Sequence, residues 1–253
     1  MDRHRLLTVI PVLFLAACSG GSPEARKEDS KKEVAPAAVP AGQATVTGKI
    51  LFTCAKPAMR PLTMDAVPAC LRMHKEAPKS EEVLINPDGS LRNVFVRIKD
   101  GLPAQQWPVP ASKVTVDQNG CIYKPHVVGV MVGQDIEFLN NDETNHNIHP
   151  LPRTNREWNE SQPPKGDPKV KQFTQEEMMI PVKCNVHPWM RLYVSVVSHP
   201  FFDVTSEDGT FTIKGLPAGD YTVEAIHERY GAQEMKVKVE ANGTAKADFT
   251  FKG

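Results

Sequence analysis

One stretch predicts much of the fold and chemistry of this chain: Lys183-Cys184-Asn185-Val186-His187-Pro188-Trp189-Met190-Arg191. It places a thiol, an imidazole and a thioether at the spacing Cys-x2-His-x2-Met. Zinc and calcium make little use of a thioether, whereas copper accepts one as a ligand. The loop therefore predicts a copper site on a rigid β scaffold, completed by a further imidazole from elsewhere in the chain.

His146 is the candidate for that imidazole. It follows the strand-like run 136–140 and a turn, which is where a neighbouring strand would deliver a side chain. Two imidazoles and a thiolate in a plane, with a weak axial thioether, make the copper geometry used for electron transfer. The predicted ligands are His146, Cys184, His187 and Met190.

Strand signals dominate the chain from residue 44 onward, and no sustained helical periodicity appears. Apolar residues occur as short β-rich or alternating runs, as half-buried strands require. These runs are 44–52, 82–85, 94–98, 114–116, 121–123, 127–133, 136–142, 178–183, 192–197, 203–205, 211–213, 221–225 and 235–239. The predicted fold class is all-β.

Two connections are predicted from local composition. Asp88-Gly89 lies between the runs 82–85 and 94–98, which predicts a hairpin with a tight turn. The stretch 150–169 is polar, contains prolines and has no periodicity. Its length exceeds that of an ordinary connection, so we expect a long surface loop or flap.

The N-terminus indicates export. Residues 1–17 have a basic head and the apolar run 6–15, which is too short to span a membrane as a permanent helix, so we predict a signal peptide. Leu15-Ala16-Ala17-Cys18 resembles the bacterial lipobox, which implies lipidation of Cys18 and stable anchoring by several acyl chains. Ser19 resembles the outer-membrane sorting pattern. The alternative is an ordinary secreted protein.

Residues 18–44 are rich in Ser, Lys, Glu, Ala and Pro, and they predict a disordered tether. The expected location is therefore the periplasm-facing side of a membrane, the outer membrane of a Gram-negative bacterium. Lys and Arg together equal Asp and Glu in number, 30 each, so the charge balance does not suggest a nucleic-acid partner.

The sequence has five cysteines, and this number limits the disulfides that can form. With Cys18 assigned to lipid and Cys184 to metal, three remain, and at most two of them pair. We predict a Cys70–Cys121 disulfide, which leaves Cys54 as a spare thiol that we expect to be buried as a small hydrophobic residue. The pair Cys54–Cys70 is the competing arrangement.

The residues around the ligands resemble the cupredoxins of the plastocyanin, pseudoazurin and amicyanin group. The resemblance is carried by the run 123–142, by His146-Asn147-Ile148 and by the loop 184–190, and it covers roughly residues 106–198. It implies a Greek-key β-sandwich with one type 1 copper. By position it also implies that Asn147 ties the two ligand loops together.

The same resemblance implies an electron port. Electrons would pass through an exposed edge of His187, within a small apolar patch that includes Pro188 and Trp189. Such a patch suits brief docking with a redox protein whose identity the sequence does not give.

The run 205–223 resembles the carboxypeptidase regulatory-like, transthyretin-type β-sandwich, which implies no activity of its own. Two strands of that fold are missing from 199–253, and the runs 48–52 and 94–98 resemble them. We therefore predict one discontinuous sandwich from 45–105 and 199–253, with a copper domain at 106–198 inserted. The alternative is two consecutive domains, in which 45–105 extends the cupredoxin sheet.

The expected function is that of a lipid-anchored periplasmic type 1 copper protein carrying single electrons between redox partners. One rival is a copper-binding or copper-delivery lipoprotein. Another is a structural or carbohydrate-binding sandwich whose metal only stiffens a loop. We do not expect an enzyme, because no second catalytic metal set or nucleophile constellation is visible.

Overall fold

The computed structural model describes residues 42–253. The predicted signal peptide (1–17), the predicted lipidation site Cys18 and nearly all of the predicted tether (18–44) lie outside the described residues. Between residues 42 and 253 no helix is long and apolar enough to cross a membrane.

The prediction of an all-β protein is confirmed. In chain order the first elements are β1 Ala44–Phe52, α1 Pro68–Leu71, β2 Phe95–Asp100, β3 Val114–Gln118, β4 Tyr123–Lys124, β5 Val127–Met131, β6 Ile136–Asn140, β7 His146–Pro150 and β8 Glu160–Gln162. The remaining elements are β9 Lys169–Lys171, β10 Glu177–Lys183, β11 Arg191–Val197, β12 Phe202–Val204, β13 Thr210–Leu216, β14 Gly219–His227, β15 Gly231–Val239, β16 Thr244–Lys246 and β17 Phe249–Phe251.

The first sandwich draws its strands from both ends of the described chain. One sheet has the order β13-β1-β16, with β17 also paired to β1, and the facing sheet has the order β12-β2-β14-β15. Alternate residues of β1 are buried, as expected for a strand with one face on a core. Strands that precede and follow the second sandwich in sequence thus share the same sheets.

The second sandwich lies between these segments in sequence. Its sheets have the orders β5-β11-β10-β7-β8 and β4-β3-β6-β9, and their inner faces share one apolar core. That core also includes Met64 and Cys70, which precede the predicted domain limit at 106. The limits of the two domains stay a prediction.

The two sandwiches pack through a small apolar cluster with Phe95, Val127, Val197 and Ile226 at its centre. Gly129 lies at this contact, where a Cβ atom would come within 2.6 Å of the rings of Phe95 and Phe202. Only glycine allows the β5 backbone to approach those rings so closely.

Two local predictions are right only in part. The predicted tight turn forms, with a φ of +86° at Gly89, and it is crossed by the bridge between Ile85 and Leu91 and by a hydrogen bond from the Arg92 N–H to the Leu84 carbonyl. The predicted pairing with the run 94–98 does not form. Strand β2 pairs with β12 and β14 instead, because burial in the first sandwich outweighs the local turn signal.

The predicted flap at 150–169 is also more ordered than its composition indicates. Strand β8 pairs with β7. Trp158 packs edge-on against Phe138, with ring centroids 6.0 Å apart. A three-residue strand is too short to produce a detectable alternation in the sequence.

Residues 57–80 form a segment that we call the strap. Its only regular features are α1 and a single bridge between Pro61 and Lys79. Cys70 in α1 forms the predicted disulfide with Cys121. Cys54 is unpaired, but it is exposed rather than buried as predicted. The His74 ring also lies within hydrogen-bonding distance, 2.7 Å, of the Gly120 carbonyl. The strap is therefore joined to the turn before β4.

Candidate metal centre

Strand pairing brings the predicted ligands to one end of the second sandwich. His146 begins β7, Cys184 follows β10, and Met190 precedes β11. Strand β10 pairs with both β7 and β11, so the Cys184 loop closes beside His146. The Met190 N–H donates to the His187 carbonyl at 2.9 Å, which tightens the loop.

Three donor atoms converge in this loop. The Nδ1 atoms of His146 and His187 are 2.8 Å apart, and the Cys184 Sγ lies 4.0 Å and 3.7 Å from them, respectively. All three side chains are buried, and their ligand atoms lie within 4.8 Å of one another. Met190 is buried in the same apolar core. The predicted residues His146, Cys184 and His187 are thus brought together.

Asp142 fixes the tautomer of His146. Its Oδ2 lies 2.8 Å from the His146 Nε2 and also accepts the Cys121 N–H, while its Oδ1 accepts the Gly120 N–H. A carboxylate accepts a hydrogen bond, so the His146 Nε2 carries a hydrogen and donates it. The His146 Nδ1 therefore faces the centre, as expected for a ligand oriented by an outer partner.

The Cys70–Cys121 disulfide lies against the outer nitrogen of His187, as Asp142 does for His146. The His187 Nε2 lies 3.5 Å from the Cys70 Sγ. A disulfide sulfur has no hydrogen to donate, so a hydrogen bond at this contact is one that the His187 Nε2 donates. The second Nδ1 is consequently directed at the same point as the first.

This arrangement corrects the expectation of an exposed His187 edge. His187 has 0 % of its surface exposed, because Cys70 and the strap cover the side of the ring that would otherwise meet solvent. Any electron route at this end of the molecule has to leave through neighbouring groups.

The donor set fits a bound cation. With both Nε2 atoms acting as donors, two lone pairs would face each other at 2.8 Å. Lone pairs repel at that distance, so one proton or one metal ion has to lie between them. Two imidazoles and a thiol are a soft set that suits copper.

Asn147 links the two ligand-bearing segments. Its Oδ1 accepts the Asn185 N–H at 2.5 Å, and its own N–H donates to the Cys184 Sγ at 3.5 Å. The Tyr123 hydroxyl donates to the Asn147 carbonyl at 2.6 Å. The backbone of both segments is therefore held by groups outside the donor set.

The charges at the centre favour an ionised thiol. Burial opposes ionisation of Cys184, but the adjacent rings of His146 and His187 and the hydrogen bond from the Asn147 N–H outweigh it and lower the thiol pKa to about 6. Burial would lower the pKa of His146, but Asp142 and Cys184 raise it above its ordinary value. The surroundings of Cys184 thus favour the thiolate, which is the form that binds a metal.

Trp189 and Pro188 lie beside the centre. The Trp189 ring is tilted against His187 at 5.2 Å between centroids, and its Nε1 donates to the Cys121 carbonyl at 3.0 Å. Trp189 is half-buried, while Pro188 and Val186 are exposed. The surface nearest the centre therefore comes from the loop and Trp189.

Sequence reasoning missed Asp142 and the proximity of the disulfide to His187. Asp142 precedes His146 by four residues, and that acid–histidine spacing was an available signal. Contact between Cys70 and His187 depends on a fold that brings together residues 117 positions apart, and no local pattern indicates it.

The fold and donor set define an all-β protein with a buried Cys-His-His group of candidate metal ligands. A family model described as the ER membrane protein complex subunit 7 beta-sandwich domain matches residues 183–250. This is less than a third of the chain and does not assign it to that family. No curated protein matches the chain.

Several solved structures are similar to part of the chain. The Cu-containing nitrite reductase from Thermus scotoductus SA-01 is 24% identical, with coverage of 37% of this chain and 25% of that one and a TM-score of 0.29. The Novel Purple Cupredoxin from Nitrosopumilus maritimus is 21% identical over 33% of this chain and 98% of that one, with a TM-score of 0.28. The oxidised state of an amicyanin with one proline-to-alanine substitution is 21% identical over 40% and 97%, with a TM-score of 0.31.

These TM-scores are low, and the chain spans only a quarter of the nitrite reductase. The fold assignment rests on the strand order and the two cores of this chain. The metal assignment rests on the convergence of His146, Cys184 and His187.

Proposed function

We propose that this chain is a type 1 copper protein that carries single electrons, with His146, Cys184, His187 and Met190 as ligands. The observation that carries the proposal is the buried donor set in which two Nδ1 atoms and one thiol converge while both Nε2 atoms are held from outside. When bound, copper would supply a one-electron redox couple.

The surrounding residues suit that role because they hold the donors without help from a metal. Asn147 fixes the Cys184 loop, Asp142 fixes His146, and the disulfide fixes His187. Ligands that keep their positions in both oxidation states make the reorganisation small, and electron transfer is then fast.

Electrons would enter and leave beside Trp189 rather than through a bare His187 edge. The Trp189 ring lies against His187, and the exposed Pro188 adjoins it. A small apolar surface of this kind suits a weakly docking redox protein. Trp189→Arg should slow exchange with that partner and leave the copper spectrum intact, whereas unchanged kinetics would remove Trp189 from the route.

The location and the second domain remain part of this proposal. Residues 1–17 and Cys18 support a signal peptide and a lipid anchor that holds the protein on the periplasmic face of the outer membrane. Detergent-dependent membrane recovery that is lost in Cys18→Ser tests the anchor. We also propose that 45–105 and 199–253 form a carboxypeptidase regulatory-like sandwich, with the copper domain at 106–198.

Potentiometry of the copper-loaded chain tests the carrier role. A carrier should show a reversible one-electron transition with the same protein recovered after each cycle. Release of copper to a chelator on reduction would instead indicate copper delivery. Glycan binding that persists in Cys184→Ser would indicate a structural sandwich.

A further inference from the structure

The far side of His187 faces a second group of candidate ligands. The Sγ atoms of Cys70 and Cys121 and a ring nitrogen of His187 lie within 4.8 Å of one another, and all three residues are completely buried. The nitrogen on this side is Nε2, 3.5 Å from the Cys70 Sγ. It is the opposite nitrogen from the one that faces His146 and Cys184.

We propose that reduction of the Cys70–Cys121 disulfide creates a second metal site, specific for copper(I), from the two thiols and the His187 Nε2. A dithiol reductant would supply two electrons and two protons. The S–S bond breaks, two thiols form, and the dithiol becomes a disulfide. Binding of copper(I) then releases the thiol protons to solvent, and the hydrogen on the His187 Nε2 moves to Nδ1, so that Nε2 presents its lone pair to the ion. This site goes beyond the proposed electron-carrier function.

The ligand types select a soft cation. Thiolates favour copper(I), zinc and iron–sulfur clusters. Zinc takes four ligands, the fourth being water in its open sites. In this group three donors are buried together within the described part of the chain, without exposure to solvent. Three donors in a dry site fit the low coordination number of copper(I).

The backbone geometry allows both sulfurs to bind one ion. Metal–sulfur bonds of about 2.3 Å place two thiolates about 4 Å apart in a trigonal site. The Cα atoms of Cys70 and Cys121 are 5.6 Å apart, so rotation about the Cα–Cβ bonds supplies the required movement. The backbone around Cys121 is held in place by Asp142 and Trp189.

A reductant reaches the disulfide when the strap opens. Within the described strap, the regular structure is the four-residue α1 and one bridge. The backbone hydrogen bonds of the strap join its own residues to one another and not to the strands of either sandwich. A segment outside the sheet ladders can open locally at a fraction of the global unfolding free energy. Opening of this segment exposes Cys70 and withdraws Met64 and Cys70 from the core of the second sandwich, while the strands of both sandwiches keep their pairing.

Copper(I) stoichiometry tests the proposal in a full-length Cys54→Ser/Cys184→Ser chain. These changes remove the exposed thiol and the thiolate of the first site. The chain is reduced with a phosphine, which is then removed, and copper(I) is titrated anaerobically against a chromophoric chelator. The reduced chain should bind one more copper(I) than the oxidised chain. Equal numbers would overturn the proposal.

A matched control carries Cys70→Ser and Cys121→Ser in the same background, and it should gain no copper(I) after reduction. Because this control lacks a crosslink, circular dichroism is used to compare its fold with that of the parent. X-ray absorption of the reduced parent should show two sulfur ligands and one nitrogen ligand. A lower sulfur count would contradict the proposed site.

Two further outcomes would overturn the proposal. If the folded chain gains no thiols after phosphine treatment, the Cys70–Cys121 disulfide is not reduced in the folded chain and the second site does not form. If equimolar zinc displaces the bound copper(I), the copper assignment is overturned. None of these results depends on the electron-carrier function, which is tested separately on the oxidised wild-type chain with copper(II).

Discussion

Asp142→Asn is the substitution that probes the organisation of the centre most sharply. The Asp142 carboxylate is 3 % exposed and accepts three hydrogen bonds. They come from the Gly120 N–H at 2.6 Å, the Cys121 N–H at 2.7 Å and the His146 Nε2 at 2.8 Å. An amide has one acceptor oxygen and a donating NH2 group. In the variant, at least one of these three N–H groups therefore faces the NH2 group of the new asparagine and loses its acceptor.

The cost follows from those bonds. Hydrogen bonds to a charged group contribute about 1.5–3 kcal/mol each, and an unpaired buried donor costs about 1–3 kcal/mol. We therefore expect Asp142→Asn to lower the free energy of unfolding of the metal-free chain by about 3–5 kcal/mol. Loss of a group that orients a ligand should also weaken copper binding about 10- to 100-fold.

The assay is urea unfolding of the metal-free chain at pH 7, followed by circular dichroism, together with a copper competition titration. Asp117→Asn is the matched control, because Asp117 accepts one hydrogen bond from the exposed Asn141 side chain. The control should change stability by less than about 0.5 kcal/mol. An Asp142→Asn chain as stable as the control, with unchanged copper affinity, would refute the reasoning.

Three further predictions concern stability. Gly129→Ala should destabilise the chain by at least about 1–3 kcal/mol through its clash with the Phe202 ring, and a wild-type urea midpoint would contradict this. Cys70→Ser/Cys121→Ser should cost about 4 kcal/mol, from loop-closure entropy over 51 residues; a change below about 1 kcal/mol would disprove it. Burial lowers the pKa of His227 from 6.5 to about 4. The unfolded chain therefore binds the extra proton, and the free energy of unfolding should rise by about 3 kcal/mol from pH 4 to 6.5. In His227→Phe the free energy of unfolding should rise less over this pH range. An unchanged pH dependence would show that other groups cause the rise.

Much of the fold was predictable because the strands are short, alternating and separated by turn residues. The ligand loop was recognisable because Cys184, His187 and Met190 lie within seven residues. His146 followed from the expectation that neighbouring strands deliver side chains to the same end of a sandwich.

The errors have a common physical cause. The burial of His187 depends on a strap more than a hundred residues earlier in the chain, and strand β2 pairs with distant strands rather than with its neighbour across the Asp88-Gly89 turn. Such long-range contacts are set by the burial of whole faces, which local patterns do not record. The role of Asp142 likewise depends on the turn at Gly120 and Cys121.

The central claim is that Cys184, together with two imidazoles, binds copper as a thiolate. The direct measurement is visible absorption and electron-spin resonance of the copper(II)-loaded wild type beside Cys184→Ser. We predict an intense thiolate-to-copper band in the wild type, with a narrow copper hyperfine splitting, and its loss in the variant. A wild-type chain that binds copper(II) without that band would contradict the account.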